Sequence, residues 1–84
     1  MKANERDSRT EQERFIDRML KEILGGQRNP GDRLPTESEL AAQYDLRKTN
    51  VHLALKELER LGFLEIVPRH ATYVAPYRER ANLE

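Results

Sequence analysis

The segment Leu34–Leu64, LPTESELAAQYDLRKTNVHLALKELERLGFL, decides the fold because it contains two helical patterns separated by a short break. Thr36 and Glu39 have the spacing of a capping box, which predicts the start of a short helix. Asp45 follows that helix, and aspartate is one of the few non-glycine residues that adopts the left-handed conformation of a sharp turn. A longer helix is predicted from about Lys48 to Leu61, where a glycine ends it.

Both helices of this segment have an apolar face at helical spacing, so they are expected to pack against one core. The predicted apolar residues are Leu40, Ala41 and Tyr44 in the short helix, then Leu46, Val51, Ala54, Leu55, Leu58 and Leu61.

Outside this segment the chain predicts one further helix and a hairpin. Thr10 and Glu13 form a second capping box, and Gly25-Gly26 ends the helix that follows. Its predicted apolar stripe is Phe15, Ile16, Met19, Leu20, Ile23 and Leu24. A loop is predicted over residues 27–35, because prolines and a glycine interrupt it.

Two runs of β-type residues, 63–67 and 72–75, flank residues 68–71 and predict a small hairpin. The expected fold is therefore mainly α with a small β-hairpin, that is, a three-helix core plus a two-stranded wing. The domain is expected over residues 10–75. Residues 1–9 are predicted to be a flexible tail, and residues 76–84 a linker or tail.

The composition excludes several classes of function. The chain has 84 residues, 37% of them hydrophobic and 36% charged, with a formal net charge of zero. It has no cysteine, which rules out disulfides and thiolate catalysis and fits a reducing, cytoplasmic location. Its two histidines lack zinc-site spacing, and no apolar run approaches the roughly 20 residues of a membrane span. No catalytic constellation can be assembled, so we expect neither an enzyme nor a cofactor.

Positive charge is concentrated at the front of the longer helix. Residues 46–56 include Arg47, Lys48, His52 and Lys56 and no acidic residue, although the whole chain is neutral. A positive helix start behind a helix-turn-helix pattern is typical of a helix that enters a DNA major groove.

The order of elements is that of a winged helix-turn-helix, and the residues resemble one family in particular. Pro30–Glu37, PGDRLPTE, followed by Glu39–Ala41, is similar to the PG-x-x-LPSE-x-ELA signature of GntR-type bacterial transcription regulators. The resemblance covers roughly Phe15 to Val74. It implies the N-terminal DNA-binding domain of a homodimeric repressor or activator. It also implies a small-molecule effector domain, which would have to lie beyond this chain.

Several positions that the family uses for DNA differ in this chain. Ser38 stands where the second helix usually has arginine, and Arg47-Lys48 replaces the Ser-Arg that opens the recognition helix. His52 replaces another arginine, and Arg69–Ala71 replaces the Gly-x-Gly of the wing tip. A lysine or histidine cannot grip guanine with the planar fork of arginine, so these changes alter the expected operator preference.

The sequence and the resemblance together predict a recognition helix over about 47–61 in the major groove and a wing over 68–71 near the minor groove. Double-stranded DNA is the expected partner. The residues predicted to contact it are Arg33, Thr36, Ser38, Arg47, Lys48, Thr49, Asn50, His52, Lys56, Arg69 and His70.

Two alternatives remain at this level. A winged helix that has lost specific DNA binding would act as a protein-interaction or assembly module, and the neutral charge and substituted arginines favour it. RNA binding is the weaker alternative. The basic start of the longer helix argues for DNA.

Overall fold

The computed structural model describes residues 10–77, which form three helices followed by one two-stranded antiparallel sheet. The helices are α1 (Glu11–Leu24), α2 (Glu37–Tyr44) and α3 (Lys48–Arg60), and the strands are β1 (Leu64–Val67) and β2 (Ala71–Val74). This is the predicted winged helix-turn-helix. The predicted tail at 1–9 and residues 78–84 of the predicted linker lie outside the described residues. Within the part described, no helix is long and apolar enough to cross a membrane.

Both predicted capping boxes are confirmed. The Thr10 hydroxyl accepts a hydrogen bond from the Glu13 backbone N–H at 3.1 Å, and the Glu13 carboxylate accepts one from the Thr10 N–H at 2.9 Å. Thr36 and Glu39 repeat this arrangement at 3.1 and 2.8 Å. Local side chains therefore determine where α1 and α2 begin.

The turn between α2 and α3 uses the left-handed conformation expected of Asp45, with φ 56° and ψ 51°. Leu46 then packs against the core. The residue that precedes the first turn of α3 is Arg47, and no side chain caps this helix, because neither Asp45 nor Thr49 stands at the capping position. Asp45 lies two residues too early, since it already closes α2, and Thr49 lies inside the first turn. The first N–H groups of α3 are thus left open to another partner.

The core lies where the three helices meet the hairpin. Its buried side chains are Phe15, Met19, Ile23, Leu34, Leu40, Val51, Ala54, Leu55, Leu58, Leu64 and Val74.

Two leucines predicted on apolar faces are exposed instead, Leu24 by 57% and Leu61 by 46%. Each lies at the end of its helix. Leu24 is turned about 100° around the axis from buried Ile23, and Leu61 is the residue at which α3 ends.

The loop before α2 adds a tertiary contact that the sequence did not reveal. Arg33 forms an antiparallel β-bridge with Tyr73 of β2. On either side of it, the Leu34 N–H donates to the Thr72 carbonyl at 2.8 Å, and the Val74 N–H donates to the Asp32 carbonyl at 2.9 Å. The end of the predicted loop is therefore held against the wing by backbone hydrogen bonds.

A half-buried polar cluster attaches α2 to α1. The Arg28 guanidinium lies 2.7 Å from the Glu22 carboxylate, and the Tyr44 hydroxyl donates to the same carboxylate at 3.1 Å. Burial alone would lower the pKa of Arg28, but hydrogen bonds to Glu22 and Tyr44 outweigh it and the pKa is raised. Arg28 therefore stays charged and holds the end of α2 in place.

Packing continues to the end of the described chain. The Tyr77 ring centroid lies 5.4 Å from that of Phe63, and its hydroxyl donates to the Ile23 carbonyl at 3.4 Å. Tyr77, the last described residue, thus packs against the domain.

Candidate DNA interface

An open groove of about 560 Å³ lies between the start of α2, the front of α3 and the hairpin. Most of the predicted DNA-contacting residues line it, although they come from distant parts of the chain. Those lining it are Arg33, Thr36, Ser38, Lys48, His52, Lys56, Arg69 and His70.

The groove carries an excess of positive charge. Arg33 comes from the loop before α2, Lys48 and Lys56 from α3, and Arg69 from the wing. Among the described residues that line the groove, Glu37 is the one carboxylate. Low-dielectric walls that carry charge of one sign concentrate the field inside a groove, so this surface attracts a polyanion.

The start of α3 adds a second attraction for anions. Its first turn has no acidic residue and no side-chain cap, and both Arg47 and Lys48 are exposed. Positive charge here opposes the helix dipole, whereas a phosphate would satisfy the free N–H groups and the two side chains together. Arg47 and Thr49 do not line the groove; both are exposed on this first turn.

Asn50 lies elsewhere than the sequence predicted. It was predicted to contact DNA, but it is half-buried and its amide donates a hydrogen bond to the Glu11 carboxylate. Asn50 is rotated by about 100° from buried Val51. Its hydrogen bond to Glu11, the first residue of α1, shows that its side chain lies on the side of α3 that faces α1. Asn50 therefore joins α3 to α1 and does not face the groove.

The wing tip is a tight turn in a conformation that usually requires glycine. The His70 N–H donates to the Val67 carbonyl at 3.0 Å. Pro68 and Arg69 occupy the centre of the turn, and Arg69 has a φ of 63°. A positive φ at the third position is typical of a type II turn, and a side chain there costs about 1–2 kcal/mol. The strained residue presents an exposed guanidinium at the tip.

Glu37 makes a contact in the groove that the sequence analysis missed. Its Oε2 lies 2.7 Å from Nδ1 of His52, which joins the first residue of α2 to the first turns of α3. The two side chains are 31% and 52% exposed. They are separated by 15 residues, so no local spacing signals the pair.

Two solvated ion pairs lie on the side of α3 that carries Glu57. Arg60 pairs with Glu57 and Lys56 with Glu59, each three residues apart. The hydrogen bond from Arg60 lowers the pKa of Glu57. Among residues 10–77, no group of acidic, histidine or cysteine side chains is arranged to hold a metal ion.

Known proteins resemble this chain over the same region. A model of the family "Bacterial regulatory proteins, gntR family" matches residues 11–74. The mannosyl-D-glycerate transport/metabolism system repressor MngR of Escherichia coli (strain K12) is 37% identical over 70 residues, which are 83% of this chain and 28% of that protein. The HTH-type transcriptional repressor YtrA of Bacillus subtilis (strain 168) is 38% identical over 63 residues, 75% of this chain and 48% of that one.

Solved structures give the same result for the fold. A GntR family transcriptional regulator from Listeria monocytogenes superposes with a TM-score of 0.81 at 26% identity, over 88% of this chain and 65% of that one. The structure of mutant ORR3 in complex with the NTD of AraR gives a TM-score of 0.78 at 25% identity, over 82% and 99% of the two chains. The relatives are transcriptional regulators and not enzymes, as the sequence predicted. This chain, which spans less than half of each curated relative described above, belongs to the gntR family of bacterial regulatory proteins.

Proposed function

We propose that this chain binds double-stranded DNA sequence-specifically, as the DNA-binding domain of a transcriptional regulator. The observation that carries the proposal is the groove, because cations from three separate elements meet there beside the uncapped start of α3. Membership of the gntR family supports it, since the regulators of this family bind DNA.

In the proposed complex, α3 enters the major groove by its first turns and the wing approaches the adjacent minor groove. Lys48 and Arg47 bind phosphate or a guanine edge at the start of α3. Thr36 and Ser38, at the start of α2, contact the DNA backbone, where the N–H groups at the start of the helix can bind a phosphate. Arg69 and His70 extend the contact at the wing tip. Phosphate contacts position the domain, and side chains on α3 read the bases.

The assembly and its regulation are also part of the proposal. A homodimer would bind a palindromic operator with half-sites about one helical turn apart. A small-molecule effector would act only if a C-terminal domain exists beyond this chain. A bacterial regulator of this kind works in the cytoplasm, where the chromosome lies.

The test is a titration of labelled duplex DNA at low and at moderate salt with wild type and the variant Arg47→Ala, Lys48→Ala. The matched control is Lys21→Ala, Arg60→Ala, which removes the same charge outside the groove. We expect salt-sensitive binding whose log–log salt slope falls by about 0.9 for each lost phosphate contact. Because one domain binds without the avidity of a dimer, protein concentrations should extend into the micromolar range.

The result that contradicts the proposal is duplex affinity that neither salt nor the groove variant alters. That result would favour the protein-interaction module, the alternative that the neutral net charge supports. An equal loss in the groove variant and the control would mean that total charge, and not the groove, determines binding.

A further inference from the structure

We propose that Glu37 is a specificity-determining positioning residue that sets which hydrogen-bonding group His52 presents to a base. This inference rests on the proposed DNA-binding function. It begins from the 2.7 Å contact between Glu37 Oε2 and His52 Nδ1, at the groove wall where α2 meets α3.

The contact assigns the proton on the imidazole ring. An ionised carboxylate only accepts hydrogen bonds, so Nδ1 of His52 must carry the hydrogen that faces Glu37. In the neutral ring Nε2 is then an acceptor. The same carboxylate–histidine arrangement orients histidines at metal sites, where the outer partner determines the tautomer of the ring.

An acceptor at Nε2 selects bases by their exocyclic amines. In the major groove, cytosine N4 and adenine N6 donate, whereas guanine presents only acceptors at O6 and N7. Protonation of His52 converts Nε2 into a donor, and the preference at the base that faces it would then move towards guanine. An arginine, which the family usually has at this position, can only donate.

Charged side chains from α2, α3, the loop before α2 and the wing line the groove together with His52. The charged and titratable groups that share this groove with His52 are Arg33, Glu37, Lys48, Lys56, Arg69 and His70.

Glu37 is available for this role because α2 does not need it as a cap. The capping box is formed by Thr36 and Glu39, so replacing Glu37 leaves the start of α2 intact. Its side chain is 31% exposed, and exposed ion pairs contribute little to stability. A change in base preference can therefore be separated from unfolding.

The first experiment measures the tautomer of His52 directly, without DNA. Long-range ¹H–¹⁵N correlation spectra of the neutral imidazole are expected to show Nδ1–H in the wild type. Glu37→Ala should move His52 to the Nε2–H form and leave His70 unchanged. Glu37→Gln, whose amide can offer oxygen or NH₂ to the ring, should give a mixture. An Nε2–H tautomer in the wild type would overturn the proposal.

The second experiment selects from random duplexes at about pH 8 and about pH 5.5, on either side of the range where histidine titrates. We expect the wild type to favour cytosine or adenine at one position by about two- to tenfold, the worth of one hydrogen bond. Guanine should gain there at the lower pH. Glu37→Ala, in which Nε2 of His52 carries the hydrogen, should shift the preference towards guanine at both pH values yet keep salt-sensitive affinity. The matched control is Glu57→Ala, which removes a carboxylate of α3 outside the groove.

The outcomes separate this proposal from the proposed function. An unchanged preference in Glu37→Ala, with duplex binding intact, would overturn only the role of Glu37. Absence of any duplex binding by the wild type would overturn both, and the tautomer measurement would still report the contact itself.

Discussion

Arg33 and Tyr73 form an antiparallel β-bridge, so the loop before α2 is attached to the wing. The flanking hydrogen bonds run between backbone groups, including Leu34 N–H to the Thr72 carbonyl at 2.8 Å. The bridge brings the cation of Arg33 into the same groove as Arg69, although the two residues lie far apart in the sequence. It also sets where α2 begins relative to the hairpin.

Arg33→Ala should weaken duplex binding without loosening the wing, because the bridge uses the backbone and the guanidinium is exposed. Loss of one phosphate contact should reduce the salt slope by about 0.9. Stability should change by less than about 0.5 kcal/mol. Fluorescence titration measures the duplex affinity, and urea unfolding measures the stability. A large loss of stability would show that the side chain, and not the backbone, holds the loop.

Arg69→Gly should make the domain more stable and a weaker DNA binder. Removing a side chain at φ 63° relieves about 1–2 kcal/mol of strain. Glycine loses more backbone entropy on folding, which offsets about 0.5–1 kcal/mol of this gain. Urea unfolding should show a net gain, whereas duplex affinity should fall. His70→Gly is the control, since His70 lies outside the left-handed region and glycine should lower stability there. A loss of stability in Arg69→Gly would show that the backbone at Arg69 is not strained.

Asn50→Ala should leave DNA recognition almost unchanged, because the Asn50 amide donates a hydrogen bond to Glu11 and does not face the groove. Affinity should change by no more than about twofold, less than a single good base contact is worth. The higher helix propensity of alanine offsets part of the lost hydrogen bond, so stability should fall by less than about 1 kcal/mol. Asparagine can read adenine, so loss of an adenine preference in a duplex selection would restore the DNA contact that the sequence predicted for Asn50.

Asp45→Gly should be tolerated and Asp45→Ala should not. The side chain is exposed, so the comparison reports the backbone conformation at φ 56°. Alanine in this region costs about 1 kcal/mol or more, while glycine adopts it freely. Thermal unfolding of both variants measures the difference. Equal stabilities would mean that the turn relaxes to another conformation.

Leu58→Ala, within α3, and Leu61→Ala, directly after its last residue, should differ sharply. Leu58 is completely buried and Leu61 is 46% exposed. Removing a buried leucine side chain costs about 2–5 kcal/mol, while an exposed one changes stability by about 0.5 kcal/mol. Chemical unfolding gives both values. A large loss at Leu61 would indicate that it is covered in solution, for example by a second molecule.

Local patterns predicted much of the candidate site. The charge asymmetry of α3 singled out Lys48, His52 and Lys56, and the hairpin signal singled out Arg69. The structure brings these together in one groove. It also turns Asn50 away from the groove and adds Glu37, because the contacts of both residues join separate elements.

The sequence by itself determined the elements and their ends, since capping boxes, the left-handed Asp45 and helical spacing act within a few residues. Only the tertiary structure decided which side chains face the groove. The contacts between Asn50 and Glu11 and between His52 and Glu37 span 39 and 15 residues, and the bridge at Arg33 joins the loop to β2. The exposure of Leu24 and Leu61, each at the end of its own helix, also differs from what helical spacing predicted. Such contacts depend on how the helices pack, which no local spacing encodes.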